Sequence, residues 1–197
     1  MNCFLDRFLI QLTIMEKIIL GNDLEICRIL NGMWQVAGGH GQINSELAIQ
    51  DMQKYQENGF TTWDLADIYG PAESLIGDFS RKTEQSFQAF TKFVPNPGPM
   101  SSSIVTQYID ESLKKMNIKC IDLLQFHWWD YQDSNYLDAL QHLSNLQKEG
   151  KIKYLGLTNF DTKTIQIIIE NGFKIITNQV QYSILDQRPE KIMIPFF

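Results

Sequence analysis

Apolar and polar positions run along this chain in two alternating rhythms. Short, nearly continuous apolar runs occur at 30–38 (LNGMWQVAG), 61–67 (TTWDLAD), 87–94 (FQAFTKFV), 120–128 (CIDLLQFHW), 152–160 (IKYLGLTNF) and 174–182 (KIITNQVQY). Between them lie stretches with helical spacing, at 44–59, 72–82, 101–117, 135–150 and 161–172. Asn44, Ser101 and Asp161 sit at the starts of three of these as N-cap residues, and Gly59, Gly150 and Gly172 sit at the ends of three as stops. Leu47, Ile49, Met52 and Tyr55 fall roughly on one face of the first helix. Pro71 falls where an opening helical turn tolerates it. Ahead of this series, KIILGNDLEICRI (17–29) places two apolar runs around Gly-Asn-Asp, a hairpin signal.

Strict alternation of strand and helix at roughly 30–40 residues per unit predicts right-handed βα units and a parallel sheet. Its strands are apolar throughout because both faces are covered. Two α/β architectures accommodate that pattern, an open doubly wound sheet and a parallel (β/α) barrel of the TIM type. No G-x-G-x-x-G follows the first strand, so the dinucleotide fingerprint of the open sheet is missing. The polar residues favour the barrel. Asp64, Lys92, His127, Asn159 and Gln179 lie at or near the ends of five successive strands, where a barrel gathers its chemistry. Alternation by two keeps Thr62 with Asp64, and Leu123 with Gln125 and His127, on one face, directed at the barrel axis.

Composition narrows the function. Apolar residues make up 44% and charged residues 20% of the 197, with a net charge of −6, a globular balance with no basic surface for nucleic acid. Cys3, Cys27 and Cys120 have no metal-ligand spacing and read as reduced thiols of a cytoplasmic protein. Residues 1–14 (MNCFLDRFLIQLTI) are too short and too interrupted to span a bilayer, and they lack the features of a secretory signal. They read as a candidate extension before a partial barrel domain at 15–197, with no metal, nucleic-acid or membrane partner expected.

The chemistry follows from four residue types. Tyrosine is a poor acid, with a reference pKa of about 10. The ammonium of Lys92 on the neighbouring strand is expected to lower the pKa of Tyr69, and Asp64 to hold Lys92 in place. His127 is placed to donate a hydrogen bond to a substrate oxygen. Together they would protonate a carbonyl oxygen that gains charge as hydride attacks its carbon.

These segments resemble the aldo-keto reductases. WDLADIYGPAESLIG looks like that family's Asp-x4-Tyr-Gly-x2-Glu-x3-Gly signature, and FTKF resembles its lysine segment. IDLLQFHWWD is similar to the segment that ends in its histidine. GKIKYLGLTNF and NQVQYSILDQRPE are similar to its fifth and sixth strand segments. The resemblance implies an NAD(P)H-dependent oxidoreductase acting on a small aldehyde or ketone, with NADPH expected and NAD as the alternative. It assigns the tetrad Asp64, Tyr69, Lys92 and His127, with tyrosine as proton donor. It also assigns Thr158, Asn159 and Gln179 to the nicotinamide carboxamide, and Trp34 and Trp128 to the walls of the substrate pocket.

Other polar residues read more plainly. Asp67 looks like a solvated loop carboxylate, and His40 and His142 look like exposed side chains. Trp129 and Tyr131 either shape the pocket or pack the loop after 120–128. Only about six of the eight βα units of a closed barrel are recognisable, which leaves the first and last strands as edges. An inactive remnant and a non-catalytic interaction subunit on the same scaffold are therefore the alternatives to an enzyme.

Overall fold

The computed structural model describes residues 15–39, 41 and 43–197. The candidate extension at 1–14 and His40 lie outside the described residues. The chain opens with an antiparallel hairpin, β1 (Lys17–Leu20) and β2 (Leu24–Cys27). Six parallel strands follow, separated by helices: β3 (Asn31–Gly32), α1 (Ser45–Glu57), β4 (Thr62–Asp64), α2 (Ala72–Ser80), β5 (Gln88–Phe93), α3 (Ser102–Met116), β6 (Ile121–His127), α4 (Asn135–Lys148), β7 (Ile152–Thr158), α5 (Thr162–Glu170) and β8 (Asn178–Gln179). A 3-10 turn (Arg188–Glu190) and a short α6 (Met193–Phe196) end the chain.

The sheet order is β3-β4-β5-β6-β7-β8, the order of the sequence itself. A doubly wound sheet reverses its order at a switch point, and this one does not. It is also strongly curled. Gln179 on β8 donates to Asp64 on β4 at 3.2 Å, although three strands lie between them. In a flat sheet strands four places apart would be about 19 Å apart. The six strands therefore form a half-barrel with helices outside. Among the described residues β3 pairs only with β4, and β8 only with β7.

Two apolar layers hold this shape. The larger lies between strands and helices and includes Trp63, Leu65, Phe79, Ile109, Phe126, Leu155 and Ile165. The smaller fills the N-terminal end of the half-barrel. There Leu24 and Ile26 of the hairpin pack on the inward Phe90 and Leu123, with Tyr154 and Ile176 at the margin. The hairpin turn is fastened as well, because Tyr154 Oη accepts from Asn22 N–H and donates to Asp23. The opposite, C-terminal end stays open to ligands.

Local expectations are met where a cap or a full ladder supports them. Asn44, Ser101 and Asp161 accept the N–H groups of Leu47, Ile104 and Thr164. The edge strands are shorter than expected. The 30–38 run makes a two-residue strand and then a 3-10 turn at Trp34–Ala37. In the 174–182 run, ladder bonds to β7 extend only over 176–179. An edge strand has hydrogen bonds on one side only, so apolar character alone does not keep it extended. On α1, Ile49, Met52 and Gln56 are buried, while Leu47 and Tyr55 face outward. Leu47 stands opposite the buried stripe, and Tyr55 stands on its flank, where its ring meets Phe60 and Trp63 edge-on.

Close packing between α2 and α3 depends on Gly77. A Cβ built there would stand 2.0 Å from the Lys115 carbonyl oxygen. The helix tolerates this glycine, at a cost of about 0.5–1 kcal/mol, because the approach admits no side chain. Gly77→Ala should therefore destabilise the fold by about 1–3 kcal/mol, despite the better helix propensity of alanine. Urea unfolding followed by circular dichroism measures this, and an unchanged or higher midpoint would contradict the close approach.

Candidate active site

Strand register brings the polar residues to one level. Asp64 pairs with Phe90, Lys92 with Gln125, His127 with Thr158, and Thr158 with Gln179 across successive strands. Their inward parity then directs the side chains into the open end of the half-barrel.

At its centre the Lys92 ammonium contacts both carboxylate oxygens of Asp64, at 2.8 and 2.9 Å, and the Leu65 carbonyl at 2.9 Å. Those acceptors match its three N–H donors. Asp64 also accepts from Gln125 Nε2 at 2.8 Å and from Gln179 Nε2 at 3.2 Å. Burial pulls the Lys92 pKa below that of an ordinary lysine, and the adjacent Asp64 charge opposes that pull.

Tyr69 follows on the turn between β4 and α2. The Lys92 nitrogen lies 5.1 Å from the centre of its ring, and Trp34 meets the ring edge-on at 5.0 Å. The phenol is more basic than an ordinary tyrosine, first through burial and then through the Asp64 carboxylate. This reverses the expected lowering by Lys92. With Asp64 directly against it, the ammonium offers the phenol little net positive charge. His127 is half-buried and stacks on Trp129 at 4.3 Å. Burial, and then the Lys92 charge, lower its pKa, so it is a neutral imidazole at neutral pH.

The nicotinamide candidates sit beside this group. Thr158 is buried, with a hydroxyl that has no hydrogen-bond partner among the described residues. Asn159 adopts a left-handed conformation, φ +62°, which asparagine tolerates better than most residues. Its backbone is pinned on both sides: its N–H donates to Gln179 O, and its carbonyl accepts from Tyr131 Oη at 2.7 Å. Gln179 lines the same cleft and donates its amide nitrogen to Asp64.

A cleft of about 510 Å³ is bounded by Asp64, Tyr69, Lys92, His127, Thr158, Asn159 and Gln179, with Trp34 and Trp129 as walls. A larger groove of about 860 Å³ adjoins it at Asn159, Val180 and Gln181 and runs toward Pro189 and Met193. None of the tetrad lines that groove, so the smaller cleft is where the chemistry converges.

Trp128 is not part of this wall. It is 1% exposed, packs on Phe126, and donates its indole N–H to the Asp133 carbonyl. Trp129, 59% exposed, stands at the cleft in its place. Period-two alternation within β6 turns residues 125 and 127 inward, and Trp129 follows on the bend beyond the strand. Gln125 shared the inward face but had no assigned role, and it is a direct partner of Asp64. Asp67 is not a solvated carboxylate. It accepts the Val94 N–H, and its other oxygen is buried.

A sequence model of the aldo/keto reductase family matches residues 28–197. The chain belongs to the aldo/keto reductase family. It is 30% identical over 195 residues to a 6-dehydroglucose reductase of Agrobacterium fabrum, covering 87% of this chain and 63% of the relative. It is 25% identical over 209 residues to an NADH-specific methylglyoxal reductase of Escherichia coli, covering 92% and 63%. A solved aldo/keto reductase of Klebsiella pneumoniae in complex with NADP and acetate superposes with a TM-score of 0.79 at 21% identity, covering 93% and 64%. The chain thus spans under two thirds of the length of these aldo/keto reductases. None of its described helices is long and apolar enough to cross a membrane.

The ion pair is expected to dominate local stability. Asp64→Ala leaves the Lys92 ammonium buried against a single carbonyl and should cost about 3–5 kcal/mol. Adding Lys92→Met removes the stranded charge and should recover part of that loss. Urea midpoints of the two variants test this, and equal stability of Asp64→Ala and the wild type would show that the pair is not buried as described.

Proposed function

We propose that this chain carries the reducing centre of a nicotinamide-dependent oxidoreductase acting on a small aldehyde or ketone. The observation behind this reading is the convergence of Asp64, Lys92, Tyr69 and His127 on one cleft. The unpartnered Thr158 hydroxyl suits the carboxamide of a nicotinamide, as does the pinned Asn159 beside it. When bound, the reduced cofactor supplies the hydride.

The residues of the chain supply positioning and a proton. Neutral His127 donates a hydrogen bond that orients the substrate carbonyl oxygen. Tyr69 gives its phenolic proton to that oxygen as charge develops there, and the product leaves as the alcohol. The raised phenol pKa keeps Tyr69 protonated until the substrate oxygen takes the proton. Asp64 keeps Lys92 charged and in place. Trp34 and Trp129 restrict water at the mouth and favour a small, partly apolar substrate.

NADP and NAD both stay within this reading, since one relative is named NADH-specific and a structural neighbour was solved with NADP. The two-residue edge strands β3 and β8 support a second reading, a scaffold that binds without turnover.

Oxidation of NADPH and of NADH, followed by nicotinamide absorbance over a panel of small aldehydes, separates the two. Tyr69→Phe should lower turnover by at least about 100-fold, the scale of general-acid catalysis, while cofactor affinity changes little. Turnover that survives the substitution would remove Tyr69 as the donor. Absence of turnover with both cofactors would favour the binding scaffold.

A further inference from the structure

Behind the Asp64–Lys92 pair lies a second acidic group that the proposed chemistry does not use. Asp67 sits on the turn that carries Tyr69. Its N–H donates to the Lys92 carbonyl at 3.1 Å, and its Oδ2 accepts the Val94 N–H at 3.1 Å. The two bonds flank Phe93 and staple the turn to the end of β5. Its other oxygen, Oδ1, is buried without a hydrogen-bond partner among the described residues. Glu73, at the start of α2, is in the same position. One of its oxygens accepts from Thr91 Oγ1 at 2.8 Å, and the other is buried without a hydrogen bond among the described residues, 3.6 Å from the Lys115 ammonium. A buried carboxyl oxygen left unpaired is costly and uncommon in folded proteins.

We propose that Asp67 is a positioning residue that clamps the Tyr69 turn to β5 and transmits its own ionisation to the Tyr69–Lys92 pair. The charged groups that face it are Glu73 from α2, Lys115 from α3 and Lys92 from β5. Burial first, and the Glu73 charge with it, push the Asp67 carboxyl up to about 6, against the Val94 and Ile68 N–H groups and Lys115. Above that pH the carboxylate holds the Val94 N–H in a charge-assisted bond and adds to the negative charge that supports the Lys92 ammonium. Below it the carboxyl is neutral and that support is lost. Tyr69, seated over Lys92, reports the change through the ammonium and through the turn.

The inference rests on the proposed pairing of Tyr69 with Lys92, but its test needs neither cofactor nor turnover. A chain that reduces no carbonyl would defeat the proposed function and leave this coupling measurable. The full chain is labelled with carbon-13 at the tyrosine ring, the Tyr69 signal is assigned by Tyr69→Phe, and its shift is followed between about pH 5 and pH 8. An inflection near pH 6 is expected in the wild type. Asp67→Asn keeps an acceptor for the Val94 N–H and removes the titration, so the inflection should vanish. His127→Gln controls for the imidazole and should leave the inflection in place. Amide exchange at Val94 should stay near the wild-type rate in Asp67→Asn and rise at least about tenfold in Asp67→Ala. No inflection in the wild type, one that survives Asp67→Asn, or one that disappears in His127→Gln would overturn the coupling. Unchanged Val94 exchange in Asp67→Ala would overturn the clamp. Should Asp67→Ala fail to fold, comparison of Asp67→Asn with the wild type still decides the coupling.

Discussion

A lysine ammonium held inside the half-barrel by one carboxylate sets the constraints for everything around it. Lys92 is buried, and a buried cation persists only when its hydrogens are matched by acceptors and its charge by a partner. Asp64 provides two of those contacts, and the Leu65 carbonyl provides the third. Asp64 then needs donors of its own, and Gln125 and Gln179 supply them from β6 and β8. The Gln179 contact spans the sheet, so satisfying one carboxylate also ties the curled strands together. Stability and chemistry here draw on the same group of atoms.

That arrangement explains the properties of the neighbouring groups. Because Asp64 lies against Lys92, Tyr69 experiences an ion pair rather than a free cation, and burial makes its phenol a weaker acid. His127 lies within the field of the ammonium and stays neutral. The resting site thus holds a protonated phenol and a neutral imidazole in one cleft, with Thr158 beside His127 in the strand register and the pinned Asn159 next to it. Behind β5, Asp67 adds negative charge that influences Lys92 without entering the cleft, and Glu73 acts on Asp67.

Resemblance assigns Trp128 to the pocket, but residues 128 and 129 lie past the end of β6, where strand alternation no longer reports which side chain borders the cleft. Asp67 looked solvated because a carboxylate on a turn usually is. Its burial arises from α2 and α3 covering the turn, and no local pattern reports that. The lowered tyrosine pKa failed for a related reason. Residue types suggest which charges could meet, but the balance between a neighbouring ammonium, its counter-ion and burial depends on distances.

Pattern and spacing alone determined the alternation of strands and helices, the parallel sheet, the hairpin, three helix caps and the membership of the polar set at the strand ends. These properties depend on neighbours in sequence: periodicity, caps and turn residues act within a few positions along the chain. Only the tertiary structure decided how far the sheet curls, that Gln125 and Gln179 serve Asp64, which tryptophan borders the cleft, and which way burial moves each proton. Each of those is a contact between residues far apart in sequence, such as Asp64 and Gln179. Its strength depends on geometry and solvent exclusion, which exist only once the chain has folded.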